Sequence, residues 1–172
     1  MKTIDIGHGE YASKWGLTDF YPESEAKLKE ALASGEDFTT GWFGCEKEIR
    51  YAEYTRDAEA MTVKVSCVMD DLWESNDLIW DAWYETYHED PEDELPHEII
   101  DSIRDAAIDA GINDGTDIER TLPREAGLED IVKATRDLEA EAEANNHRMF
   151  SDLVDIVKAH WEYMPEEKEE LK

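Results

Sequence analysis

Residues 61–69 read Met61-Thr62-Val63-Lys64-Val65-Ser66-Cys67-Val68-Met69, and Met61, Val63, Val65, Cys67 and Met69 recur at every second position. That is the period of a strand with one face buried. The next stretch, Asp70-Asp71-Leu72-Trp73-Glu74-Ser75-Asn76-Asp77-Leu78-Ile79-Trp80-Asp81-Ala82-Trp83-Tyr84-Glu85, abandons alternation. Leu72, Ile79, Trp80, Trp83 and, further on, Tyr87 fit one broad face at helical spacing. The change of period near Asp70 sets the expected fold class: α+β, a small antiparallel β-meander packed with several α-helices, with the C-terminal half helical.

On the N-terminal side, Phe38, Thr40 and Trp42 alternate, as do Ile49, Tyr51 and Glu53. Gly44-Cys45-Glu46-Lys47 and Asp57-Ala58-Glu59 read as turns, so the sheet is expected mostly from residues 37–69. Ile4 and Ile6 alternate as in a further short strand. Pro22-Glu23-Ser24-Glu25 opens a helix, because Pro suits the first turn and acids favour the positive end of the helix dipole. Ala26, Leu28, Ala31 and Leu32 give that helix an apolar face, and Gly35 ends it.

On the C-terminal side, residues 88–96 hold two Pro and five acids and read as a solvated loop. A helix is expected from about His97 to Ala110, with Ile99, Ile100, Ile103, Ala106, Ala107 and Ala110 turned inward, closed by Gly111 and Asn113-Asp114-Gly115. After Gly127, Leu128, Ile131, Val132, Thr135 and Leu138 have helical spacing. So do Phe150, Leu153, Val154, Val157, Trp161 and Met164, the strongest helical pattern in the chain. Asn145-Asn146 either separates two helices or lies within one. Pro165 is expected to end the last helix, with a fraying charged tail beyond. With 172 residues the chain is expected to form a single domain over 1–172. Its parts are a sheet region at 1–69, a helical region at 70–164 and a tail at 165–172.

Composition sets the function classes. The 45 Asp and Glu against 17 Lys and Arg leave a net charge of −28, while six Trp, seven Tyr and four Phe supply enough burial to exclude a disordered acidic tail. The acidity is uneven: residues 70–117 carry 17 acids and a single base, Arg104. Such a field repels nucleic acid and anionic membranes and attracts basic proteins. No leader or membrane span is recognisable, so a cytoplasmic protein is expected. Cys45 and Cys67 read as small residues in strand-like segments of a protein in a reducing compartment.

The acids of 70–117 are ordered. Asp70, Glu74, Asp77, Asp81 and Glu85 follow at steps of four, three, four and four, and Glu98, Asp101, Asp105 and Asp109 at three, four and four. On helices these spacings give carboxylate stripes opposite the Trp and Ile faces. Four helical residues rise about 6 Å, slightly less than the separation of successive phosphates along a DNA strand. Like charges at i,i+4 cost a helix about 0.2–0.5 kcal/mol each, and here almost no Lys or Arg relieves them. These nine acids, with Glu92, Asp93 and Glu94 of the loop, are the expected partner-binding residues. Trp73 and Tyr84 lie off the main apolar stripe and are candidate aromatic anchors.

Catalytic and cofactor signals are absent. His97-Glu98-Ile99-Ile100-Asp101 is half of a zinc-protease helix with Asp101 where a second His belongs. Asn113-Asp114-Gly115-Thr116-Asp117 lacks calcium-loop spacing. Gly7-His8-Gly9 is too short to cradle a phosphate, and no nucleophile has a base beside it in sequence. No enzyme activity, cofactor or metal is expected.

In size, acidity and the stripes at 70–85 and 98–109 the chain resembles the acidic DNA-mimic inhibitors of phages and mobile elements, the anti-CRISPR and antirestriction proteins. The likeness is one of surface style, with no aligned motif, and it transfers no functional residues. It implies a basic nucleic-acid-binding partner, a host defence nuclease. A CRISPR effector that reads duplex DNA with arginines comes first and a restriction-modification complex second. Other readings are an antagonist or chaperone of a basic nucleoid protein, a phage assembly protein in which a stripe is buried in a homodimer, and a halophile's surface. The uneven charge speaks against the last.

Overall fold

The computed structural model describes residues 1–7, 16–45, 50–67, 76–87, 96–112 and 116–162. In chain order the elements are β1 (Lys2–Thr3), α1 (Pro22–Ser34), β2 (Phe38–Thr39), β3 (Phe43–Cys45), β4 (Arg50–Arg56), β5 (Ala60–Cys67), α2 (Asp77–Tyr87), α3 (His97–Asp109), β6 (Thr116–Pro123) and α4 (Leu128–Glu162). The α+β class stands. The chain forms two compact units, residues 1–68 with 116–144, and residues 69–115 with 145–172. The change of period near Asp70 thus marks a unit boundary, but 116–144 returns to the sheet.

In the first unit the strand order is β1-β2-β4-β5-β6, with β3 paired to β4 as well. The expected meander is its centre. β5 buries Met61, Val63 and Val65 completely and pairs on both sides, with Val63 between Tyr54 and Arg120. The inward set of β4 is Ala52, Tyr54 and Arg56; Tyr51 and Glu53 face outward with Ser66 and Lys64, so the alternation through Tyr51 and Glu53 marks the outer face. Ile49 lies outside the described residues. Leu28 and Ala31 of α1 and Ile131, Ala134 and Leu138 of α4 join the buried sheet residues in one core.

Four local expectations are corrected. Gly44 and Cys45 belong to β3 rather than a turn: Gly44 faces Tyr51, and only a residue without Cβ fits beside the Tyr51 ring and the Arg50 carbonyl. Trp42 does not continue Phe38 and Thr40 inward; Gly41, at φ 61°, breaks the phase, and Trp42 is exposed. Ile4 and Ile6 are buried, but the ladder there is Lys2–Thr3, parallel to β2, which makes the sheet mixed. Residues 116–123, read within the helical region, form β6. It is a sheet edge whose Asp117, Glu119 and Arg120 hide the period-two pattern.

Asp57 shapes the β4–β5 turn by accepting from the Glu59 and Ala60 amides at 2.8 and 2.9 Å. These bonds hold its carboxyl below the usual aspartate range. Pro22 opens α1 and Gly35 closes it at φ 73°, as the sequence implies. Arg56 of β4, 3% exposed, supplies what α1 lacks in its own last turn, a cation at the carbonyl end. It donates to the carbonyls of Ala31 at 2.7 Å, Leu32 at 3.2 Å and Glu36 at 2.6 and 2.9 Å, and its guanidinium lies 5.1 Å from the Phe38 ring centre.

The outer sheet face carries a row of threonines across β1, β2, β4, β5 and β6: Thr3, Thr39, Thr55, Thr62 and Thr121 are successive register partners. Branching at Cβ suits a strand, and the hydroxyls keep that face wet.

The second unit is helical. Leu78, Ile79, Ala82 and Trp83 of α2, Ile100, Ile103 and Ala107 of α3, Ile112, and Leu153 and Val157 of α4 form its core. Asn145 and Asn146 lie inside one 35-residue helix and do not divide it into two, although the boundary between the two units falls at Asn145. No described helix is long and apolar enough to cross a membrane.

Candidate anionic interface

The helix α3 runs from His97 to Asp109, as its apolar period requires. At about 100° of rotation per residue, Ile100, Ile103 and Ala107 share one side, and all three are buried. Glu98, Asp101, Asp105 and Asp109 occupy the opposite arc, and all four are exposed. In α2 the same arithmetic sets Asp77, Asp81 and Glu85 within an arc of about 80°. They too are exposed, while Leu78, Ile79, Ala82 and Trp83 are buried. Seven of the expected acids therefore stand on solvated helix faces. Asp70, Glu74, Glu92, Asp93 and Glu94 lie outside the described residues, as do Trp73 and the loop of 88–95.

Tyr84 follows Asp81 by three residues and precedes Glu85, so it belongs to the acidic side of α2 and not to its buried side. It is 55% exposed. Trp83 packs its ring 4.7 Å from that of Tyr87 and belongs to the core. Tyr84 thus lies off the main apolar stripe and is exposed, as its spacing implies.

The base Arg104 does not interrupt the stripe. It is half-buried at the side of α3, donates to Asp101 Oδ1 at 2.9 Å and to Asn76 Oδ1 just before α2. Asp101 is thus the acid of α3 whose charge is most offset. Ser102 and His160 add a second tie, 2.9 Å between Oγ and Nε2. The Nδ1 of His160 donates to the Ile156 carbonyl, so in the neutral ring Nε2 accepts from Ser102. The sequence signals neither tie beyond the solitude of Arg104.

The sheet unit treats its acids differently. Glu139 and Glu143 lie 3.4 and 3.3 Å from Arg50, Asp137 3.1 Å from Arg120, and Asp37 2.6 Å from Arg124. Charges of both signs are interleaved there, as on an ordinary protein surface. The acids of α2 and α3 sit in a stretch with one base. Rigid helices hold them, so little conformational entropy is lost when a partner engages them. Such an array can attract and orient a cationic surface. Among the described residues no group of three or more His, Cys, Asp or Glu is placed to hold a metal ion.

No protein-family model matches the chain, and no curated protein matches it in sequence.

Proposed function

We propose that this protein inhibits a nucleic-acid-binding protein by presenting the carboxylate face of α2 and α3 where DNA would bind. The favoured target is a host defence nuclease, a CRISPR effector before a restriction-modification complex, met in the host cytoplasm. One observation carries this reading. Asp77, Asp81, Glu85, Glu98, Asp101, Asp105 and Asp109 are all exposed on helix faces opposite the packed side, in a stretch whose single base is Arg104. A surface serving only hydration has no need to repeat like charges at helical contact distance.

The test is a matched pair of charge reversals assayed for binding to candidate effectors. Asp77, Asp81 and Glu85 changed together to Lys should abolish binding with the fold kept, since none of them is in the core. Glu166, Glu167 and Glu169 changed to Lys alter net charge equally and should leave most of the binding. Equal losses in the two variants mean that total charge alone matters. No loss in either removes the anionic face from consideration, and association of the protein only with itself returns it to an assembly role.

A further inference from the structure

The strand β6 is one edge of the sheet: Ala60–Cys67 pairs with it on one side, and no described strand lies on the other. An eight-residue edge is long for a position that normally carries a short, bulged or covered strand. Its inner-face residues Ile118 and Leu122 are only partly buried, although their register partners Val65 and Met61 are fully buried. Beside this edge, Arg120, Leu122 and Pro123 of β6 and Asp130, Lys133, Ala134 and Asp137 of α4 line a groove of about 330 Å³. Leu122 and Ala134 give it an apolar floor, and the Arg120–Asp137 ion pair, 3.1 Å, spans from strand to helix. On the outer face Asp117 and Glu119 are exposed.

We propose that β6 and this groove take one extended segment of a partner protein, added as a further strand about 4.8 Å beyond β6. The occupant alternates apolar residues with Lys or Arg. Its apolar side chains face the groove beside Leu122 and Ala134, and its cations stand on the outer face as cross-strand neighbours of Asp117 and Glu119. The net charge of −28 favours a basic segment over a second copy of this chain, which would bring an equal charge of the same sign. The inference uses no residue of α2 or α3 and stands apart from the inhibitory role.

The probe is an end-blocked octapeptide alternating Val and Lys, titrated into the full chain with backbone amide exchange followed by NMR. The β6 amides that face away from β5 should exchange about tenfold more slowly at saturation. The same peptide N-methylated along one edge keeps its charge but cannot extend the ladder, and should give no such protection. Changing Asp117 and Glu119 together to Lys should weaken the Val–Lys peptide about fivefold or more and admit a Val–Glu peptide instead. Three results overturn the proposal: equal binding of the N-methylated peptide, shifts confined to α2 and α3, or concentration-dependent protection of β6 without peptide, which assigns the edge to a second copy.

Discussion

Arg104 and Asp101, three residues apart on α3, form an ion pair of 2.9 Å, while the other terminal nitrogen of Arg104 reaches Asn76 Oδ1. The one cation of the acidic stretch therefore serves the junction of α2 and α3 and, among the described acids of α3, offsets Asp101. Replacing Arg104 by Met should lower unfolding stability by about 1–2 kcal/mol, since hydrogen bonds to a charged group are lost. If the acidic face binds a cationic target, the same change should raise the association rate a few-fold at low salt, because one charge is uncovered. Urea unfolding and stopped-flow binding read the two effects separately. Slower association with stability unchanged would mean that Arg104 itself touches the target.

Tyr54 gives a prediction at alkaline pH. Its hydroxyl, fully buried, lies 2.8 Å from Thr135 Oγ1, and Thr135 spends its own proton on the Ile131 carbonyl; Tyr54 is therefore the donor. Burial pushes its pKa well above the usual tyrosine value, and the Glu139 charge adds to the rise. A neutral group with a raised folded pKa contributes stability that is complete below the unfolded pKa of about 10 and fades as pH climbs from there toward the folded value. Tyr54→Phe should cost about 0.5–1.5 kcal/mol near neutrality. Above about pH 10 the difference should shrink and then reverse. Denaturant midpoints of the two proteins across pH measure this directly.

Arg56 makes four hydrogen bonds to carbonyls of residues 31, 32 and 36. Burial pushes its pKa down, nearby Arg124 adds to this, and Asp37 opposes it. Arg56→Ala leaves those carbonyls unsatisfied and opens space beside Phe38, so a loss of about 3 kcal/mol or more is expected. Arg56→Lys keeps the charge but not the planar fork, and should recover less than half of that loss. Chemical denaturation gives both values. A full recovery by Lys would show that charge at the helix end, not the geometry of the guanidinium, holds α1 to the sheet.

The legibility of the fold follows from where each signal is strong. β5 and the centre of α3 are read from their period because burial imposes it: Ile100, Ile103 and Ala107 are buried as expected, Ile99 and Ala106 are only partly so, and Ala110, expected inward, is exposed at the helix end. β6 is missed because an edge strand tolerates charge at inner and outer positions alike; Arg120 sits on the inner side only by reaching Asp137. The return of 116–144 to the sheet is a matter of topology, to which local pattern is blind. The exposure of the stripes is legible because the Trp and Ile residues fix which side of each helix is inward. The placing of Arg104 against Asn76 depends on how two helices meet, and no spacing within either helix encodes it.

The acidic face should fail by degrees as its charges are removed. An exposed pair between one carboxylate and a Lys or Arg contributes about 0.2–1 kcal/mol, and the seven described acids are spread over two helices. Single Ala changes at Asp77, Asp81, Asp105 or Asp109 should therefore weaken target binding by no more than about fivefold each, while four together should bring it near background. Among the acids of α3, Asp101→Ala should be the mildest change, since Arg104 already offsets its charge. Binding should also fall steeply as salt rises, because the contacts are solvent-exposed charge pairs screened within about 10 Å at 0.1 M. Short duplex DNA carrying the target's own recognition sequence should compete for the same surface. Fluorescence anisotropy with labelled protein reads the series, the salt slope and the competition in one format. A single acid whose removal abolishes binding would replace the distributed array by a specific contact. Affinity indifferent to salt would shift attention to Tyr84. Undiminished inhibition of a target already saturated with DNA would mean that the protein acts elsewhere than the DNA groove.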